Sequence, residues 1–160
     1  MQKLVVYYSY TGNTKKIAEM IKNRLDCDIL ELEPSTPFST DYDEVVNEYQ
    51  NNSIDNKEVP IKDINVNLDN YDEIIIGTPV WWYTISPVVV TFLKKYDLSN
   101  KIIYPFATNA GWLGKTFKDF SKLCPNSEVN EGMNILFESY SDKLKTTEKE
   151  LNDWINSIEK

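Results

Sequence analysis

The run Ile74 to Ile76, inside "YDEIIIGTPVWW", sets the tightest limit on what this chain can become. Three consecutive β-branched apolar residues without polar alternation suit a strand buried on both faces, as in a parallel sheet covered by helices. The rest of the chain repeats the theme. Leu4 to Tyr8 is an apolar run that ends in turn-formers, and Ile17, Ala18, Ile21 and Leu25 then recur at helical spacing. Ile29 to Leu32 reads as a short strand closed by Pro34, and Pro79 is expected to stop the strand at Ile74 to Ile76. Val88, Val89, Phe92, Leu93 and Tyr96 follow as a helix with Pro87 in its first turn. Ile102 to Phe106 is a fourth strand, Phe117, Phe120 and Leu123 mark a helix, and "MNILFES" supplies a fifth strand. The closing amphipathic helix carries Leu144, Leu151, Trp154, Ile155 and Ile158.

Strands alternating with helices imply βαβ crossovers. The expected fold is therefore α/β: a three-layer, doubly wound, parallel five-stranded sheet of order 2-1-3-4-5, with ligands outside the carboxyl ends of the strands. With 160 residues and 18.6 kDa, the chain is expected to form one domain over 1–160. Residues 35–66 form an excursion before the third strand, where Tyr42, Val45, Val46 and Tyr49 suggest a short helix.

Composition narrows the chemistry. A net charge of -8 argues against nucleic acid, whose phosphates need a basic footprint, and favours basic protein partners or none. No apolar run approaches a membrane span and no signal peptide is evident, so the chain reads as cytoplasmic. The two cysteines, Cys27 and Cys124, fit no metal or CxxC spacing and read as buried or half-buried free thiols. There is no histidine, which removes Ser-His-Asp and Cys-His catalysis and HExxH zinc sites. No catalytic side chain and no metal ligand is nominated.

Three strand ends remain: "SYTGNT", "GTPVWWYT" and "TNAGWLGKT". In the first, a loop opening a helix offers free N–H groups, with hydroxyls from Ser9, Thr11 and Thr14 and the amide of Asn13, while Gly12 lets the backbone approach closely. These residues suit a terminal phosphate; equally, Thr11 or Asn13 suits a plain helix cap. Neither a Walker A nor a GxGxxG pattern is present. Trp81, Trp82 and Trp112 lie at the same sheet edge, where a flat ligand between the rings would account for them, as would packing of one ring against 35–66. Phosphate at one loop and a planar ring at two others suggest a mononucleotide.

On these residues the chain resembles the flavodoxin family. "SYTGNT" matches the T/S-x-T-G-x-T phosphate loop, "GTPVWW" is similar to the G-x-P-x-W loop, and "TNAGWLGK" occupies the place of the second flavin loop. "YDEIIIGTPVWW" and "YDLSNKIIYPFATNAG" look closest to a bacterial subgroup with a Trp-Trp pair. The resemblance implies FMN as cofactor. Ser9, Thr11, Gly12, Asn13, Thr14 and the backbone of Tyr10 would bind its phosphate; Thr78, Pro79, Val80 and Trp81, with Trp82 as alternative stacking ring, would line the isoalloxazine. Thr108, Asn109, Ala110, Gly111 and Trp112 would close the other side. The implied function is one-electron transfer between redox partner proteins, docking through an acidic surface onto basic ones. An FMN-dependent NAD(P)H:quinone-type reductase is the alternative, and an interaction module without flavin a further one. Lys115 stands where many electron carriers have acidic residues.

Overall fold

Alternation along the strands places the core. In β1 (Lys3–Tyr7), Leu4 and Val6 belong to one apolar cluster and Val5 and Tyr7 to another, and all four are buried. The central β3 (Glu73–Trp81) does the same, with Ile74 and Ile76 on one side, Ile75 on the other, and each 0% exposed. Burial on both faces is what the unbroken isoleucine run requires.

The computed structural model describes residues 2–41, 43–45 and 59–159. After β1 come α1 (Asn13–Leu25), β2 (Asp28–Glu31), β3, β4 (Thr84–Ile85), α2 (Pro87–Lys95), β5 (Ile102–Asn109), α3 (Thr116–Leu123), β6 (Glu128–Val129), β7 (Met133–Leu136) and α4 (Glu148–Glu159). Ile17, Ala18 and Ile21 of α1 and Leu151, Ile155 and Ile158 of α4 cover one sheet face; Phe92 of α2 and Phe120 of α3 cover the other. The result is the expected three-layer α/β fold.

The sheet runs β2-β1-β3-β5-β6, with β7 also beside β5 and β4 beside β3. The parallel ladders reproduce the expected order with two differences. First, the fifth strand comes in two pieces. Asn130 N–H still donates to Ile103 O at 2.9 Å, so Ile103 and, two residues on, Pro105 face the fifth strand. Proline has no N–H to offer there, and the ladder lapses between Val129 and Met133. Second, β3 runs through Pro79 instead of stopping, and a short antiparallel β4 pairs with it. Gly77 O accepts from Tyr8 N–H at 3.3 Å, so Pro79 faces the side that β1 has just left. Its missing N–H costs no ladder bond.

The last helix also begins later than its apolar spacing predicts. Leu144 bridges to Phe137, and Thr147 and Glu150 form a reciprocal capping box, at 3.2 Å and 3.0 Å, that starts α4 beyond it. Of the expected short helix, Tyr42, Val46 and Tyr49 lie outside the described residues, while Val45 is buried. The described flanks of the excursion are pinned: Ser35 N–H donates to Pro60 O at 2.9 Å, and the Thr91 hydroxyl to Val59 O at 2.7 Å. Cys124 is buried and Cys27 half-buried; burial pushes the Cys124 thiol up to about 11 and raises Cys27 as well. Among the described residues no helix is long and apolar enough to cross a membrane.

Candidate functional site

The ladders set Tyr7 beside Gly77 and Pro79 beside Thr108, so the loops after β1, β3 and β5 emerge side by side at one edge. In the first loop Gly12, at φ 106°, is the N-cap of α1, and among the described residues no side chain caps it. The first intrahelical bond runs from Lys16 N–H to Gly12 O at 3.0 Å. The N–H groups of Asn13, Thr14 and Lys15 therefore stand ahead of that bond, at the positive end of the helix dipole. Ser9 Oγ accepts from Gly12 N–H at 3.0 Å, which rounds the loop beneath them. Thr11 and Gly12 are exposed, and a Cβ on Gly12 would meet nothing within 4 Å. Neither Thr11 nor Asn13 is the cap. Asn13 Nδ2 donates to Ser141 O at 2.9 Å, bringing in a fourth loop, and the buried Thr14 hydroxyl shares a hydrogen bond with Thr108 at 2.7 Å.

The second loop is a hairpin. Thr78 is fully buried, and its hydroxyl accepts from Ser86 N–H at 3.1 Å. Val80 and Trp81 are each 7% exposed. Tyr8, Tyr10, Phe38 and Trp82 meet the Trp81 ring edge-on at 5.0 to 6.4 Å between centroids. One tryptophan thus packs against the excursion through Phe38, and the Tyr10 hydroxyl donates to Ser39 O at 2.6 Å alongside. Trp82, at the turn, and Pro79 are both half-buried.

The turn itself is strained. Trp82 and Tyr83 sit at φ 51° and 68° between Trp81 and Thr84, the geometry that hairpins usually give to Asn-Gly. Left-handed backbone at residues other than glycine costs about 1 kcal/mol each, so neighbouring groups must hold it. Lys115 N–H donates to Tyr83 O at 2.9 Å, Gly114 lies against Tyr83, and the buried Thr84 hydroxyl bonds Oδ2 of the buried Asp119. Asp119 Oδ1 has no partner among the described residues. Thr84→Val would strip the other oxygen too. We expect a loss of about 2 kcal/mol in urea unfolding, the scale of leaving a buried polar group without its hydrogen bond; an unchanged midpoint would remove this clamp.

The third loop folds on Asn109. Its Oδ1 accepts from Gly111 N–H at 2.9 Å and Trp112 N–H at 3.0 Å, and its Nδ2 donates to Asn134 Oδ1 at 2.7 Å. This side chain shapes the loop. Ala110 is half-buried, Gly111 takes φ 128°, and Trp112 is 40% exposed.

All three expected loops therefore converge. Thr11, Gly12, Gly111 and Trp112 are exposed and Ser9, Tyr10, Asn13, Pro79, Trp82 and Ala110 half-buried, while Thr14, Thr78, Val80, Trp81, Thr108 and Asn109 support them from within. Phe38, Thr84, Gly114, Asp119 and Ser141 join the site without a local sequence signal, apart from the glycine in "GWLGKT" that marks a turn.

The flavodoxin family model matches residues 2–158. No curated protein sequence matches the chain. Among solved structures, a candidate flavoprotein from Bacteroides eggerthii is 26% identical, covering 98% of this chain and 97% of its own at a TM-score of 0.77. One from Bacteroides uniformis shares the fold at 21% identity and a TM-score of 0.80, covering 97% of each chain. A Lactobacillus acidophilus flavoprotein, solved in complex with FMN, is 28% identical over 83% of this chain and 92% of its own, with a TM-score of 0.68. With its sheet, its strand-end loops and a family match over nearly its whole length, this chain belongs to the flavodoxin family.

Proposed function

We propose that the protein binds FMN at this edge and carries single electrons between redox partner proteins. The observation that carries the reading is the first turn of α1, whose N–H groups no side chain caps among the described residues and which opens beside the exposed Gly12. A dianionic phosphate suits those donors, and no lysine or arginine is needed beside them. The ribityl and ring would follow toward Pro79, Trp82 and Trp112, which leave proline and aromatic surface accessible at the other two loops. The Lactobacillus acidophilus complex and the family match support FMN as the ligand. Bound FMN supplies a ring that takes up and returns electrons. The chain's own residues bind it, exclude water from one face and fix its orientation.

Titration of the flavin-free protein with FMN and with riboflavin tests the reading. Thr11→Val/Thr14→Val is expected to weaken FMN by about 2 kcal/mol, near thirty-fold, while riboflavin is little changed. Unchanged FMN affinity would move the phosphate elsewhere. Trp82→Ala should restore flavin fluorescence in the bound state more than Trp81→Ala, because Trp81 is committed to its aromatic cluster; the reverse order would return the stacking role to Trp81. Stepwise anaerobic reduction then separates functions. Accumulation of a one-electron-reduced form supports the carrier, whereas steady oxidation of NAD(P)H would favour the reductase alternative, and indifference to FMN would leave an interaction module.

A further inference from the structure

Six lysines and two aspartates lie between residues 87 and 123, a net of four positive charges in a chain whose total is -8. One of those aspartates, Asp119, is buried. The asymmetry is concentrated on α3, which turns Thr116, Asp119 and Phe120 inward and leaves Lys115, Lys118 and Lys122 exposed. Spacings of three and four put these lysines on one side of the helix.

Other lysines nearby are already engaged. Lys95 pairs with Asp63 at 3.4 Å, and the Lys101 ammonium donates to Leu68 O and Tyr71 O at 2.8 and 2.7 Å. Lys115, Lys118 and Lys122 make no ion pair among the described residues. Lys122, in the last turn of α3, suits the negative end of the helix dipole, but the dipole does not favour the other two. Lys115 is the N-cap residue and Lys118 stands in the first turn, at the positive end of the helix dipole, where a cation is disfavoured. A local rule broken without a structural return points to use.

At the head of this row stand two of the largest exposed apolar side chains, Tyr83 at 60% and Trp112 at 40%. The Lys115 N–H to Tyr83 O bond joins hairpin and helix into one surface. Exposed aromatic side chains are the usual anchors of a protein interface, and charges around them set which partner it admits. The row is about 10 Å long on a convex helix; a dinucleotide would want a concavity, whereas an acidic protein face can lie along it.

We infer that the lysine side of α3, headed by Tyr83 and Trp112, is the docking surface for a redox partner whose own face is acidic. The inference rests on the electron-carrier reading, and it reverses the polarity that the overall charge suggests. The edge of the site next to α3 meets acid, although the molecule as a whole is acidic.

Calorimetric titration of the FMN-loaded protein at low ionic strength tests this, with an oxidised plant-type ferredoxin as acidic redox probe and cytochrome c as basic probe. Ferredoxin is expected to bind, and Lys118→Glu/Lys122→Glu should weaken it at least ten-fold, with thermal stability and FMN affinity unchanged. Raising the salt several-fold should erase most of the difference, since exposed charges are screened over about 10 Å at 0.1 M. No ferredoxin binding, an effect of the reversal below two-fold, cytochrome c binding weakened by the reversal, or displacement of ferredoxin by NADPH would each overturn the inference. The surface belongs to the chain itself, so ferredoxin should bind the FMN-free protein as well. A protein that binds ferredoxin through these lysines but ignores FMN would refute the flavin reading and leave the docking surface standing.

Discussion

Gly77→Ala is expected to be among the most destabilising small substitutions in this protein, at about 3 kcal/mol. The reason is a ring. A Cβ on Gly77 would stand 2.1, 2.5 and 2.6 Å from Cζ, Cε2 and Cε1 of Phe106, its register partner on β5. Phe106 is 0% exposed and shares its cluster with Val5, Ile75 and Ile135, so the ring has no empty space to enter. For a chain of this length the cost corresponds to a fall of roughly 6 to 12 °C in Tm. Phe106→Leu in the same molecule shortens the obstructing side chain. The pair should therefore destabilise less than the two single changes added together, as expected of residues in contact. Strict additivity in urea unfolding would show that strand strain, not the ring, sets the cost.

That contact was not legible in the sequence, where Gly77 reads as the first residue of the loop "GTPVWW" and nothing marks Phe106 as its neighbour. The architecture was, because it follows from local signals: the isoleucine run demanded two covered faces, and the spacing of Ile17, Ala18 and Ile21 demanded a helix. Pro79 reads as a stop for β3 because it cannot donate, yet it lies beyond the end of the β1 ladder and the strand continues past it, whereas Ile102 to Phe106 reads as a strand through Pro105 and is one. The start of α4 was also available, in the Thr147 to Glu150 capping box, but the apolar Leu144 at heptad distance from Leu151 masked it. The three site loops were visible as strand ends. Which tryptophan faces solvent was not, because that depends on a left-handed turn at Trp82 and Tyr83 that neither residue type favours. The turn exists through partners distant in sequence, Gly114 and Asp119, and no periodicity encodes those.

Gly114→Ala is the second substitution with a large expected effect, and it tests that turn. Gly114 takes φ 56°, and an added Cβ would lie 2.4 Å from both Cβ and O of Tyr83 and 2.8 Å from its Cα. Two of these atoms are backbone, so no rotamer change relieves the clash. The hairpin must retreat, and with it goes the neighbouring Lys115 N–H to Tyr83 O bond that helps hold Trp82 and Tyr83 in left-handed geometry. Left-handed alanine adds about 1 kcal/mol of its own, and we expect about 3 kcal/mol of lost stability with the clash included. Flavin binding should fall at least ten-fold. The comparison that decides the cause is between ligands. Thr11→Val/Thr14→Val acts at the phosphate end and should spare riboflavin, whereas Gly114→Ala displaces the ring end and should weaken FMN and riboflavin by the same factor. A loss confined to FMN would mean that the change had reached the first loop instead, and the hairpin would then have no part in holding the ring.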